Sequence, residues 1–292
     1  MDVNWIRLNE QLKRWLQEDI GRGDQTTAGL ANIDKVLGQG CWLTKASGVI
    51  CGLPIAQRVF EILSNAGTAA SSVRFEPCVI EGEWVEAGST IVKLQGPLAH
   101  LLMGERVALN LAMHLSGIAT VTREYVSEIQ DLSAKLVDTR KTTPGLRELE
   151  KYATRTGGAQ NHRMGLDDSI MIKDNHIAAA GSIALAIESI RSRSPYPLSI
   201  EVETENLEQV EEALEHGVDI IMLDNMSPAM MKEAVQIIRR YGSQVKIEGS
   251  GNITIETIRA IALTGVDYIS SSAPITRSSW LDLSMRLDPT KL

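Results

Sequence analysis

Three stretches of this chain gather the side chains that could do chemistry. They are DTRKTTPGLR (138–147), GGAQNHRMGLDDSIMIKDNHI (157–177) and the apolar runs that end in Glu203 and Asp224. Arginine offers a planar fork that grips a carboxylate or phosphate at two points, while lysine offers a point charge. Arg140, Lys141, Arg163 and Lys173 together therefore suit a small polyanion. Residues 140–173 hold seven Lys or Arg against four Asp or Glu, in a chain whose 37 acids and 29 bases leave it at −8. A solvated turn would explain Arg140 and Lys141 alone. A cationic window inside an acidic chain favours an anion site. Glu203 and Asp224 supply the opposite sign, which in such a site holds sugar hydroxyls, a divalent metal or a developing cation. Period-2 alternation puts Glu201 on the face of Glu203, one layer deeper.

Weaker signals surround these. GSGN (249–252) lies between a predicted strand and a helix predicted to start at Thr254, a turn type whose N–H groups suit phosphate. The SSSAP loop (270–274) follows the next predicted strand. GRGD (21–24) has no strand before it and reads as a turn. His100, His114, His176 and His216 show no metal-ligand spacing. Lys173 taken alone fits a salt-bridged core lysine or the Schiff-base lysine of a barrel aldolase as well as an anion site.

The elements that must position these residues follow one repeated form. Short apolar runs begin near 135, 169, 198, 219, 245 and 267, each ending in polar residues. The segments ENLEQVEEALEHG, SPAMMKEAVQIIRRYG and TIETIRAIALTG lie between the later runs and close on Gly217, Gly242 and Gly265, as left-handed helix ends require. Ser227-Pro228 and Thr254 read as helix starts. This alternation predicts βαβ units and a parallel sheet, curled into a barrel of fewer than eight strands. In that architecture chemistry sits at the strand C-terminal ends. Arg147, Lys151 and Arg155 recur at i, i+4, i+8 and predict an exposed helix face.

Residues 1 to about 130 have a different rhythm. A helix near 4–18 precedes turn-rich sequence, and VRFEPCVIEGEWVEAGSTIVKLQGP alternates as antiparallel strands do. The boundaries read as an N-terminal α/β sandwich domain over 1–115, a barrel domain over 116–275, and a segment of about 276–292 packing back on the first. Composition excludes several classes. The net charge of −8 argues against nucleic-acid binding, and the charged, amphipathic N-terminus reads as neither signal peptide nor membrane span. Three cysteines without a CxxC pair point to a reducing cytoplasm.

The motifs DTRKTTPGLRELEKYA, GGAQNHRMGLDDSIMIKDNHI, EVE, MLDN and SGNI, with EDIGRGDQTT and GERVALNLAMHLSGIAT earlier, resemble the quinolinate phosphoribosyltransferase family in the expected order from about 18 to 285. The resemblance implies a homodimer, possibly a higher oligomer, with shared active sites. It implies transfer of phosphoribosyl from 5-phosphoribosyl 1-pyrophosphate to quinolinate with magnesium, giving nicotinate mononucleotide, pyrophosphate and carbon dioxide. Carried over by position, Arg140, His162 and Arg163 would bind the quinolinate carboxylates, with Arg106 from the other subunit. Lys141 and Lys173 would meet the carboxylates or pyrophosphate. Glu203 and Asp224 would hold ribose hydroxyls and, through diphosphate or water, the metal. Ser250 and Gly251, with Ser271, Ser272 and Ala273, would bind the 5-phosphate. The chain departs from the family pattern at Ser272 and Ala159, where glycines are usual. A molybdenum-transport accessory protein of the same fold is the nearest alternative, and a Schiff-base aldolase using Lys173 a more remote one.

Overall fold

A computed structural model describes residues 3–30, 33, 36–66, 72–242 and 244–289. The chain divides into two compact units, one of residues 1–121 with 278–292 and one of residues 122–277.

In the first unit, α1 (Trp5–Ile20) buries Leu8, Leu12 and Leu16, the one stripe its sequence makes apolar at four-residue spacing. Asp24 caps the short α2 (Gln25–Gly29) through the Thr26 and Thr27 N–H groups, so GRGD is a turn that starts a helix. There follow β1 (Leu37–Thr44), β2 (Gly48–Val49), α3 (Leu53–Ala66), β3 (Arg74–Pro77), β4 (Trp84–Val85), β5 (Thr90–Pro97) and α4 (Leu98–Ser127), within which the division between units falls. β3 pairs antiparallel with β5, as the alternating sequence predicts, while β4 pairs instead with β2. Trp42 of β1 is fully buried and meets Phe75 of β3 edge to face at 5.7 Å.

The second unit holds β6 (Lys135–Val137), α5 (Arg147–Gly157), β7 (Ile170–Ile172), α6 (Asp174–Ala180), α7 (Ile183–Arg191), β8 (Ile200–Thr204), α8 (Leu207–Glu215), β9 (Ile220–Asp224), α9 (Pro228–Arg240), β10 (Lys246–Ser250), α10 (Ile258–Ala262), β11 (Tyr268–Ser270) and α11 (Ala273–Thr276). The C-terminal β12 (Leu283–Pro289) lies in the first unit, antiparallel to β1. All six predicted strands of the second unit form. They make one parallel sheet in the order β6-β11-β10-β9-β8-β7, with no ladder between β6 and β7 among the described residues. The fold is an N-terminal α/β sandwich domain and a C-terminal open α/β barrel of six strands.

Ser227 accepts from the Met230 N–H at 3.2 Å and starts α9, with Pro228 at its first position. Gly217, Gly242 and Gly265 all take positive φ beyond their helices. Thr254 does not cap a helix. It accepts the Thr257 and Ile258 N–H groups in a turn, and α10 begins four residues later than the sequence suggests.

Register sets the site. Glu203 of β8 lies beside Met222 of β9, and Met222 beside Glu248 of β10. Glu201 lies a layer below, beside Met171 of β7. Asp224 and Ser250 pair at the upper end. Side chains two apart on neighbouring strands thus share one face in successive layers.

Candidate active site

The DTRKTTPGLR loop is held by a buried hub. Asp138, at the end of β6, accepts Lys151 Nζ and the His162 N–H with one oxygen, and Thr154 Oγ1 and Asn161 Nδ2 with the other. Lys151 also donates to the His162 carbonyl at 2.9 Å. Lys151 is 0% exposed, so it does not belong to the solvated face that its spacing with Arg147 and Arg155 predicts. Lys151 joins Glu150 and Thr154 on the buried side of α5 and reaches Asp138, which compensates its charge. Burial lowers its pKa, and Asp138 opposes that fall. Arg147 is also engaged: Nε donates to Thr142 Oγ1 at 3.0 Å and Nη1 to the Met164 carbonyl at 3.1 Å. Neither cation is available to a ligand, and both fix the loops that present others.

Those others are Arg140 and Arg163. The Arg140 Nε is buried and makes no hydrogen bond. Arg163 donates to the Ser169 carbonyl at 3.0 Å, and its pKa is lowered by burial and then by the charge of Arg140. A buried donor without a partner costs about 1–3 kcal/mol, and two guanidinium groups brought together add repulsion. An anion binding between them removes both penalties.

His162 lines the same space, yet both its ring nitrogens are occupied. Nδ1 accepts the Arg163 N–H at 2.8 Å, and Nε2 lies 3.3 Å from both Glu201 Oε2 and Glu248 Oε2. Burial works to lower the pKa of His162, but the two carboxylates prevail and push it up to about 10. Burial raises that of Glu201.

Lys173, at the end of β7, donates to Glu203 Oε2 at 2.6 Å, and its N–H meets His176 Nδ1 at 3.0 Å. An ammonium tied to a carboxylate is a poor nucleophile, which counts against the Schiff-base reading. Arg140, Lys141, His162, Arg163, Lys173, Glu203 and Asp224 all line one cavity of about 530 Å3, with Met171, Met222 and Leu166 supplying apolar wall.

A second cavity, of about 320 Å3, is lined by Lys141, Asp224, Asn225, Ser250, Gly251, Asn252 and Ser271 to Ala273. Thr139, Lys141, Asp224, Ser250 and Ser270 line both cavities. Gly251 has φ +99°, and a Cβ there would meet the Asn225 nitrogen at 2.7 Å. Asn225 (φ 53°) and Asn252 (φ 49°) also take left-handed backbone. Two non-glycine residues in that conformation, beside a glycine that needs its missing Cβ, are an arrangement of the kind found at ligand clamps.

Residues 24–116 match the model of the quinolinate phosphoribosyl transferase N-terminal domain, and residues 118–286 that of the C-terminal domain. The chain belongs to the quinolinate phosphoribosyl transferase family. It is 56% identical to a probable nicotinate-nucleotide pyrophosphorylase (carboxylating) of Synechocystis sp., over 97% of this chain and 93% of that protein. Identity to a probable enzyme of the same name from Bacillus subtilis is 42%, over 97% and 94%. The solved structure of NadC from Streptococcus pyogenes is 40% identical, with a TM-score of 0.91 over 100% of both chains.

Within this phosphoribosyl transferase the structure groups the sequence-predicted residues into two adjoining spaces: the cationic ones with Glu203 and Asp224 in the first, and Ser250, Gly251, Ser271, Ser272 and Ala273 around the second. Arg106 lies on α4 with its side chain 59% exposed and lines neither cavity. The sequence marks Glu248, with Ser250, as a charged strand end in the shared polar site but gives it no role, and it does not single out Thr139. The alternation that places Glu201 below Glu203 places Glu248 below Ser250. The approach of Glu248 to His162 was not legible, since the two lie far apart in sequence.

Proposed function

We infer that this chain transfers phosphoribosyl from 5-phosphoribosyl 1-pyrophosphate to quinolinate with decarboxylation, giving nicotinate mononucleotide, pyrophosphate and carbon dioxide in NAD biosynthesis. The observation that carries this reading is the buried, unpartnered Arg140 Nε beside Arg163, in a cavity that also presents Lys173 and Glu203. Quinolinate is a dianion, and its vicinal carboxylates match two adjacent guanidinium groups. Met171 and Met222 offer polarizable surface to the pyridine ring.

The reaction needs positioning more than covalent work. The pyridine nitrogen forms a bond to the anomeric carbon while the bond from that carbon to pyrophosphate breaks, the electron pair leaving with pyrophosphate. Positive charge develops on the ribosyl ring, and carboxylates at Glu203 and Asp224 stabilise it and hold the ribose hydroxyls. Lys141 and Lys173 meet the diphosphate or the carboxylates. The loops of Ser250, Gly251 and Ser271 to Ala273 take the 5-phosphate. In the second step the carbon–carboxylate bond breaks beside the pyridinium nitrogen, which stabilises the electron pair left on carbon until that carbon is protonated.

Magnesium belongs to this proposal. Glu203 and Asp224 offer hard oxygen donors in one cavity, too few to cage an ion but enough to hold one that keeps waters and diphosphate oxygens. When bound, the ion would neutralise charge on the leaving pyrophosphate. We also propose a homodimer in which Arg106 reaches the partner's site, since this arginine is exposed at a family motif and its ion pair, with the adjacent Glu105, is a loose one at 3.9 Å. No disulfide joins Cys41, Cys51 and Cys78, which supports a reducing compartment such as the cytoplasm. No helix of the described residues is long and apolar enough to cross a membrane.

The test is an assay for nicotinate mononucleotide from quinolinate and 5-phosphoribosyl 1-pyrophosphate with magnesium, nicotinate serving as control. Product from quinolinate alone, with one carbon dioxide per turnover, is expected. Absence of product from quinolinate would overturn the reading.

A further inference from the structure

Two methionines line the larger cavity, Met171 half-buried and Met222 only 5% exposed, and the first of them holds a cation. Arg163 is gripped from β7 and the residue before it. Its Nη1 donates to the Ser169 carbonyl at 3.0 Å, and its Nη2 donates to Met171 Sδ at 3.4 Å. A carbonyl is a full acceptor, whereas a thioether is a weak one. Nη1 is therefore committed to the fold, and Nη2 is the nitrogen that a carboxylate can take over at small cost. That division holds only while the sulfur stays a thioether. A thioether has two lone pairs, so accepting Nη2 with one leaves the other to react. The surroundings favour one kind of reaction. Arg140, with its buried Nε unpartnered, lines the same cavity as Met171 and Arg163. Cations placed for a dianion also stabilise a small anion that forms as a leaving group among them.

We propose that Met171 is an oxidation site that disables the dianion subsite: hydrogen peroxide entering the cavity converts its thioether to the sulfoxide, which captures Arg163. The free sulfur lone pair attacks one peroxide oxygen, an S–O bond forms and the O–O bond breaks. The hydroxide that leaves takes the proton from the new S–OH group and departs as water. Sulfur gives up two electrons and peroxide gains them. Arg140 and Arg163 stabilise the hydroxide as it leaves. The product carries a polarised oxygen where Nη2 had a weak acceptor. A guanidinium bonded to that oxygen no longer yields to a carboxylate, and the pyridine ring meets a polar group in place of a polarizable wall. Bound quinolinate shields the sulfur. The change is reversible, because methionine sulfoxide reductases return the sulfoxide to the thioether.

The effect on binding rests on the proposed function, while the modification itself does not. The intact protein is treated with hydrogen peroxide and then with a thiol, which restores Cys41, Cys51 and Cys78. Peptide mass spectrometry should find one added oxygen on Met171, with exposed Met230 of α9 as the reference for general reactivity. As Met171 is modified, KM for quinolinate should rise ~10- to 100-fold, the scale of one lost hydrogen bond to a charged group. KM for the ribosyl diphosphate should stay near parental. Saturating quinolinate should slow the modification of Met171 and not that of Met230, and the reductases should restore the starting KM. Met171→Leu should hold its own starting KM through the same treatment. Met171 left unmodified when Met230 is fully oxidised would overturn the proposal. So would an unchanged KM at full modification, or a Met171→Leu protein that loses affinity as the parent does. If that variant does not fold, the parent's time course decides, and a loss that follows Met222 rather than Met171 counts against the proposal. A chain that binds no quinolinate defeats the functional reading instead. Nitrogen-15 NMR of the Arg163 guanidinium, assigned by its loss in Arg163→Lys, then decides without substrate: its signals should shift as Met171 is oxidised, and unshifted signals refute the capture.

Discussion

At the scale of single residues, availability separates the cations of the 140–173 window. Lys151 and Arg147 have partners within the fold, Lys173 has one across the sheet, and Arg140 keeps a buried donor unused. Replacing Arg140 by Ala should weaken quinolinate binding by roughly 2–5 kcal/mol, because a dianion in a closed site loses its bidentate partner. Calorimetric titration checks this, and equal affinity in variant and parent would contradict it. Gly251 carries a different constraint. Alanine there would be held at φ +99° with its Cβ against the Asn225 backbone nitrogen. The strain should amount to about 1–3 kcal/mol. Because it falls on the second cavity, KM for the ribosyl diphosphate should rise while quinolinate binding stays near parental, as initial-rate measurements with each substrate varied would show.

Elements act by what they bring into register. Six parallel strands put Glu201, Glu203, Met222 and Glu248 on one face in two layers, with Asp224 and Ser250 above. α5 contributes from outside the sheet, since Lys151 reaches Asp138 and the His162 carbonyl and so ties β6 to the 161–163 segment. Cutting that tie has a sign. Lys151→Met leaves Asp138 buried without its cation and should cost about 3–5 kcal/mol in chemical denaturation, because one partner of a buried pair is removed. Adding Asp138→Asn should recover part of the loss. If the double variant were as unstable as the two losses summed, the pair would not be the cause.

At the scale of the whole molecule, the proposed homodimer bears on this site. Arg106 is exposed on α4 and lines neither cavity, yet it sits in the ERVALN motif that the family shares. If it completes a partner's site, Arg106→Ala and Arg140→Ala should each be nearly inactive alone. Mixed dimers should then regain about one half of parental activity, and an equal, randomly exchanged mixture about one quarter, since one site per mixed dimer receives both arginines. Activity measured after exchange, with mixed dimers verified by native mass spectrometry, checks it. Mixed dimers without activity would remove the shared site.

The amino-acid order by itself determined the six strands of the second unit, three of its helix ends, the fold class and the family, because these depend on short-range periodicity, capping residues and contiguous motifs. Gly217, Gly242 and Gly265 show this well: each ends a helix in the left-handed conformation that its type allows. Tertiary structure alone decided which charges are spent internally. Lys151 reads as solvated until Asp138 is seen beneath it, and Thr254 reads as a cap until the 254–257 turn is seen. The reason is physical. A charge finds its partner through space, and in a barrel the partners lie on strands separated by whole helices of sequence.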